Sequence, residues 1–108
     1  MILEKNVLRY LDAEDMTDSF GEKEVEEAFS KSLLELRKYC GLSLVALSRK
    51  TGIPNQTLSA YENAKRMPSI FQAMKITAYF SLTIEEFVLC GLEPSCDIVE
   101  LYESRKKN

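Results

Sequence analysis

Apolar residues in this chain recur every three or four positions and nowhere alternate with polar ones, a pattern that predicts helices throughout and no sheet. Ile2, Leu3, Val7, Tyr10 and Leu11 predict a short amphipathic helix over residues 2–12, which needs a surface to lean on. Val25, Phe29, Leu33, Leu36 and Cys40 draw one apolar face along a helix from about residue 22 to Tyr39, with Ser19 and Glu22 as its capping box and Gly41 as its stop. Ser43 caps a helix containing Leu44, Val45 and Leu47 that ends near Gly52. Pro54, lacking a backbone N–H, suits the first turn of a helix over residues 55–62. Ser69 with Gln72, and Thr83 with Glu86, are capping pairs in front of two further apolar segments. The first carries Ile70, Met74, Ile76 and Phe80, the second Ile84, Phe87 and Val88 before Gly91 ends it. Residues 94–108 can add a helix through Ile98, Val99, Leu101 and Tyr102 that frays at Arg105, Lys106 and Lys107.

Length limits what these helices can build. A chain of 108 residues with 45% apolar content supports one core with appendages, not two cores. No stretch approaches the roughly 20 apolar residues of a membrane span, and the first residues lack the pattern of a secretory signal, so a cytoplasmic location is expected. Cys40, Cys90 and Cys96 have no Cys-x-x-Cys spacing and the chain has no histidine, so no metal or other cofactor is expected and the thiols read as reduced and partly buried. The missing histidine also removes the commonest general base. No nucleophile–base constellation takes its place, and an enzyme is not expected.

The formal net charge of −3 seems unsuited to binding nucleic acid until it is divided along the chain. Residues 1–30 carry −6, residues 31–68 carry +5, residues 69–94 carry −2, and the last fourteen are neutral. Phosphate neutralisation is short-ranged and screened by salt, so the local field over a contacting face outweighs the total.

Within and around the basic block the residues fall into a longer pattern: Leu33 and Leu36-Arg37, Gly41-Leu42-Ser43, Leu47-Ser48, Gly52-Ile53-Pro54, Thr57-Leu58-Ser59, Tyr61-Glu62-Asn63, Lys65-Arg66, Pro68, Ile76 and residues 82–87. In that order and spacing the chain resembles the Cro/phage-repressor (XRE) helix-turn-helix family. The resemblance implies an all-α fold, a five-helix lambda-repressor-like DNA-binding domain over residues 31–91. It would be preceded by an acidic N-terminal helical extension (1–30) and followed by a short C-terminal tail (92–108). It implies a sequence-specific double-stranded DNA-binding transcriptional regulator, expected to be a repressor, acting as a homodimer on half-sites about 34 Å apart.

What the resemblance implies for residues follows from the chemistry of DNA. The second helix of the motif lies in the major groove, which assigns base contact to Asn55, Gln56 and Thr57, with Ser59 and Ala60 one turn on. Asn and Gln can pair bidentately with adenine, and a Thr methyl can meet a thymine methyl; Thr57 is equally suited to a phosphate or to packing inward. Lys65 and Arg66 in the following loop, with Asn63, are assigned to the sugar-phosphate backbone, as are Arg49 and Lys50 at the end of the first motif helix. Arg37 and Glu62 match a structural salt bridge. Leu47, Ile53 and Leu58 are read as core.

Three residues depart from the family pattern. Leu44 stands where a phosphate-binding polar residue, often Gln, is common; Ser48 replaces a small Ala; and Ala64 replaces a Gly, so a turn there must be reshaped or strained. The acidic residues before the domain admit three readings: a solvated lead-in, a dimer contact from residues 2–29, or a segment that folds over the basic face. A protein-interaction adaptor or antitoxin-like partner using the same fold is the alternative function, and no small-molecule ligand or membrane partner is expected.

Overall fold

The computed structural model describes residues 21–106, and these form six helices with no strand among them: α1 Glu22–Tyr39, α2 Leu44–Thr51, α3 Asn55–Glu62, α4 Ile70–Tyr79, α5 Ile84–Leu92 and α6 Ile98–Lys106. The expected helix over residues 2–12 lies outside the described residues, as does Ser19. The first helix instead starts behind Gly21, whose N–H donates to Glu24 Oε1 at 2.6 Å.

Local chemistry explains most of the boundaries. Ser43 accepts from the Ala46 N–H at 3.0 Å, Ser69 from the Gln72 N–H at 3.1 Å, and Thr83 from the Glu86 N–H at 3.1 Å while Glu86 reaches back to the Thr83 N–H. Each of these hydroxyls satisfies a helix-start donor that has no intrahelical partner. Gln72 does not return such a bond to Ser69; its side chain accepts from the Tyr61 hydroxyl instead. Pro54 stands one position before the helix, as the cap of α3, and its carbonyl accepts from the Leu58 N–H.

The core is a single cluster drawn from all six helices and the loops between them. Leu33, Leu36, Leu47, Leu58, Ile76 and Phe87 are fully buried, and Phe29, Ile53, Phe80 and Ile98 nearly so. Replacing one of the buried leucines by Ala would cost roughly 2–5 kcal/mol. α1 packs chiefly along α5, with α6 against both, while α2 and α3 pack on one another. Phe87 links α1 to the end of α4, its ring 5.1 Å from that of Phe29 and 6.2 Å from that of Phe80.

Four expectations change where the chain meets itself. Gly91 does not end α5, which runs on to Leu92; it lies where that helix crosses α1, and a Cβ there would sit 2.4 Å from the Ala28 carbonyl oxygen. Arg105 is not frayed: it donates to the Ser81 carbonyl and pairs with Glu86, tying the end of α6 to the start of α5. Cys90 and Cys96 are not reduced thiols but are joined in a disulfide, Cα–Cα 4.7 Å, because the turn closed by the Cys96 N–H on the Glu93 carbonyl folds α6 back beside α5. Cys40 remains free and half-buried. The apolar set of α4 divides: Ile76 and Phe80 are buried with Ala73, whereas Ile70 and Met74 point outward, since the helical period puts residues 73, 76 and 80 on one side and residues 70 and 74 on the other.

Candidate nucleic-acid interface

The turn between α2 and α3 sets the angle at which α3 is presented. Gly52 has φ +78°, a left-handed conformation that a residue without Cβ adopts at little cost, and its N–H closes α2 on the Ser48 carbonyl at 2.7 Å. The next residue, Ile53, is buried at 1% exposure and anchors the turn in the core. Its N–H donates to the hydroxyl of the buried Thr51, which itself donates to the Leu47 carbonyl. Leu47 and Leu58, both fully buried, fill the space between the two helices.

α3 is held by its inner face and by its C-terminal end. Leu58 and Tyr61 are its buried residues, and Gln56, Ala60 and Asn63 lie on the opposite side of the helix by its 3.6-residue period. Arg37 of α1 grips Glu62 with two parallel bonds, 2.5 Å from Nε and 3.0 Å from Nη2, and uses its remaining arm on the Leu42 carbonyl at 2.7 Å. Both side chains are largely out of solvent, so the pair is a buried, bidentate one. The Ser30 hydroxyl donates to the Tyr61 carbonyl, and the Tyr61 hydroxyl reaches Gln72 on α4. Burial pushes the Tyr61 phenol above its ordinary pKa, with the nearby Arg66 charge opposing.

At the other end of α3 nothing of the kind occurs. Pro54 offers no side-chain cap, no acid stands in the first turn, and Asn55 and Gln56 are exposed with no hydrogen-bond partner among the described residues. Thr57, Ser59 and Ala60 are half-buried. Asn63 is exposed and its amide donates to the Ser59 carbonyl at 2.8 Å. Lys65 and Arg66 are exposed in the loop after α3, and Arg49 and Lys50 in the last turn of α2; none of the four forms a salt bridge among the described residues. The α3 N-terminus is thus a positive helix end bearing two amides that are free among the described residues, with exposed cations in the neighbouring turns.

Two of the unusual residues have a structural account. Leu44 is half-buried and packs against the core cluster, leaving no polar group at the start of α2 except the Ser43 cap. Ala64 takes φ +55°, where its Cβ is strained, in a turn whose N–H groups at 64 and 65 return to the Tyr61 and Ala60 carbonyls. Sequence reasoning missed Ser30, Tyr61 and Gln72 as the residues that fix α3. Ser30 and Tyr61 are 31 residues apart, and no local spacing signals their contact.

Residues 33–87, just over half of the chain, match the helix-turn-helix family model. The chain belongs to the Cro/C1-type helix-turn-helix (XRE) family of DNA-binding regulators, and its all-helical fold is of the lambda-repressor-like kind. No curated protein and no solved structure matches the chain.

Proposed function

We propose that this protein is a sequence-specific repressor that reads the major groove of double-stranded DNA with the exposed side of α3. The observation that carries this reading is the asymmetry of α3: its C-terminal end is fixed by buried polar ties, while its N-terminal end presents Asn55 and Gln56 without partners among the described residues. A side chain that already serves the fold is costly to redirect, whereas a free amide on a rigid helix is pre-organised for a base edge. Gln56 and Asn55 contact bases, with Ser59, Ala60 and Thr57 along the groove. Ala60, small and on the outer side, lets the helix approach closely. Lys65 and Arg66 hold the sugar-phosphate backbone from one side, with Asn63, Arg49 and Lys50 adding to that grip.

The domain that carries this activity is residues 31–91, working as one half of a two-fold dimer in the cytoplasm, with no catalytic role. The test is a polarization titration of the full chain against the duplex upstream of its own gene at two salt concentrations. Tight binding that weakens steeply with salt is expected. Failure to bind any duplex, together with a stable complex with another protein, would instead establish the fold as an interaction adaptor.

A further inference from the structure

The outward side of α4 carries an apolar surface that DNA reading does not use. Ile70, Phe71 and Met74 are 74%, 69% and 57% exposed, and Met67 in the preceding loop adds to them. Single exposed apolar residues are ordinary, but four large ones within eight positions form a patch, and patches of this kind mark contact sites. Next to Met74 the surface falls into a groove between α4 and the start of α5, lined by Ala78, Leu82, Ile84 and Glu85. One face therefore bears a projection, Ile70 and Phe71, beside a recess.

We propose that this face is where two copies of the chain pair about a two-fold axis, each inserting Phe71 and Ile70 into the α4–α5 groove of the other. An interface between identical surfaces must contain both a shape and its complement, and here the two lie side by side. The charges at the rim obey the same rule. Lys75 stands at the projection, its Nζ 5.3 Å from the Phe71 ring centroid, and Glu85 stands at the groove. In this pairing Lys75 of each copy meets Glu85 of the other, and the two-fold axis makes the contact reciprocal, two complementary pairs per dimer. A partner of a single charge sign would match one of these residues and oppose the other. None of the four apolar residues is among those assigned to DNA. The inference names the surface behind the dimer proposed above and rests on that reading only for how the pair sits along DNA.

Sedimentation equilibrium of the full chain without DNA tests it. The wild type is expected to dimerise at micromolar concentration. Phe71→Glu should weaken the dimer roughly 30-fold or more, the loss typical of a central interface residue. Its circular dichroism spectrum at 20 °C should be unchanged, because the side chain is exposed and the monomer keeps its helices. Lys75→Glu and Glu85→Lys should each weaken it by roughly tenfold, and the double variant, which restores opposite charges across the axis, should recover most of the loss. A wild type that stays monomeric, a dimer indifferent to Phe71→Glu, or a double variant no tighter than the single ones would overturn the proposal. The outcomes stay separable from DNA reading: a dimer that binds no duplex removes the operator function and leaves the interface, and a monomer that binds duplex does the reverse.

Discussion

The bundle of α1, α5 and α6 and the hairpin of α2 and α3 treat their polar side chains in opposite ways. In the bundle they are turned on the protein itself: Ser32 donates to the Phe87 carbonyl, Glu86 caps α5 and also pairs with Arg105, Tyr39 donates to Glu103, and a disulfide joins the end of α5 to the turn before α6. In the hairpin and the loop behind it, Asn55, Gln56, Lys65 and Arg66 face solvent, and the first turns of α2 and α3 hold no acid, whereas those of α1 and α5 hold two each. The difference separates the roles. The bundle supplies rigidity, the hairpin supplies a surface, and substitutions in one should leave the other's property almost untouched.

The largest effect should come from the ion pair that, with the Ser30–Tyr61 bond, joins both regions. Arg37→Ala would strand Glu62 in the protein interior and is expected to lower unfolding stability by about 3 kcal/mol, read from urea denaturation, and to weaken DNA binding because α3 loses its C-terminal anchor. If stability falls and DNA affinity at a temperature well below the melt does not, the two regions are more independent than the salt bridge implies. Within the bundle, Gly91→Ala forces a Cβ against the Ala28 carbonyl and should cost roughly 1–3 kcal/mol by pushing α5 off α1, with no change in DNA specificity. Within the hairpin's trailing turn the sign reverses. Ala64→Gly relieves the positive φ and should raise stability by about 1 kcal/mol, visible as a higher urea midpoint at unchanged slope.

The amount of this picture written locally in the sequence follows from the range of the interactions. Ser43, Gly52, Ser69 and Thr83 each act within four residues of themselves, so the caps and the α2–α3 turn are legible from residue type and spacing. Gly91, Arg105 and the Cys90–Cys96 pair act through chain reversal or helix crossing, and a local reading gave each a wrong role. The division of α4 shows the same limit: Ile70, Met74, Ile76 and Phe80 are equally apolar, and only the path of the neighbouring helices decides which are covered. In the candidate site, the exposed Asn55 and Gln56 follow from a polar helix start, while the buried ties through Ser30 and Tyr61 that make α3 rigid do not.

A smaller effect probes the bundle's polar economy at high pH. The Tyr102 phenol, hydrogen-bonded to the Cys40 thiol and partly desolvated, is pushed up to about 12, and the bond to Glu103 raises Tyr39 from its ordinary value. Because the folded pKa of Tyr102 lies above the unfolded one, its contribution to stability is complete below pH 10 and is lost as pH rises from there toward 12. Absorbance titration of the phenolates should show a component near 12 that Tyr102→Phe removes, and the variant should lose less stability than the wild type over that interval. A Tyr102 phenol that titrates with the exposed ones would place α6 off the bundle.

The proposed reading of the major groove by α3 is tested most directly by binding-site selection from a randomised duplex pool, run on the wild type, Gln56→Ala and Lys65→Ala. Gln56→Ala is expected to lose roughly 1–3 kcal/mol of affinity and its preference at one base position, while Lys65→Ala weakens all sequences alike and lowers the salt slope by about one. An unchanged base preference in Gln56→Ala, with both variants weakened equally on every sequence, would contradict it.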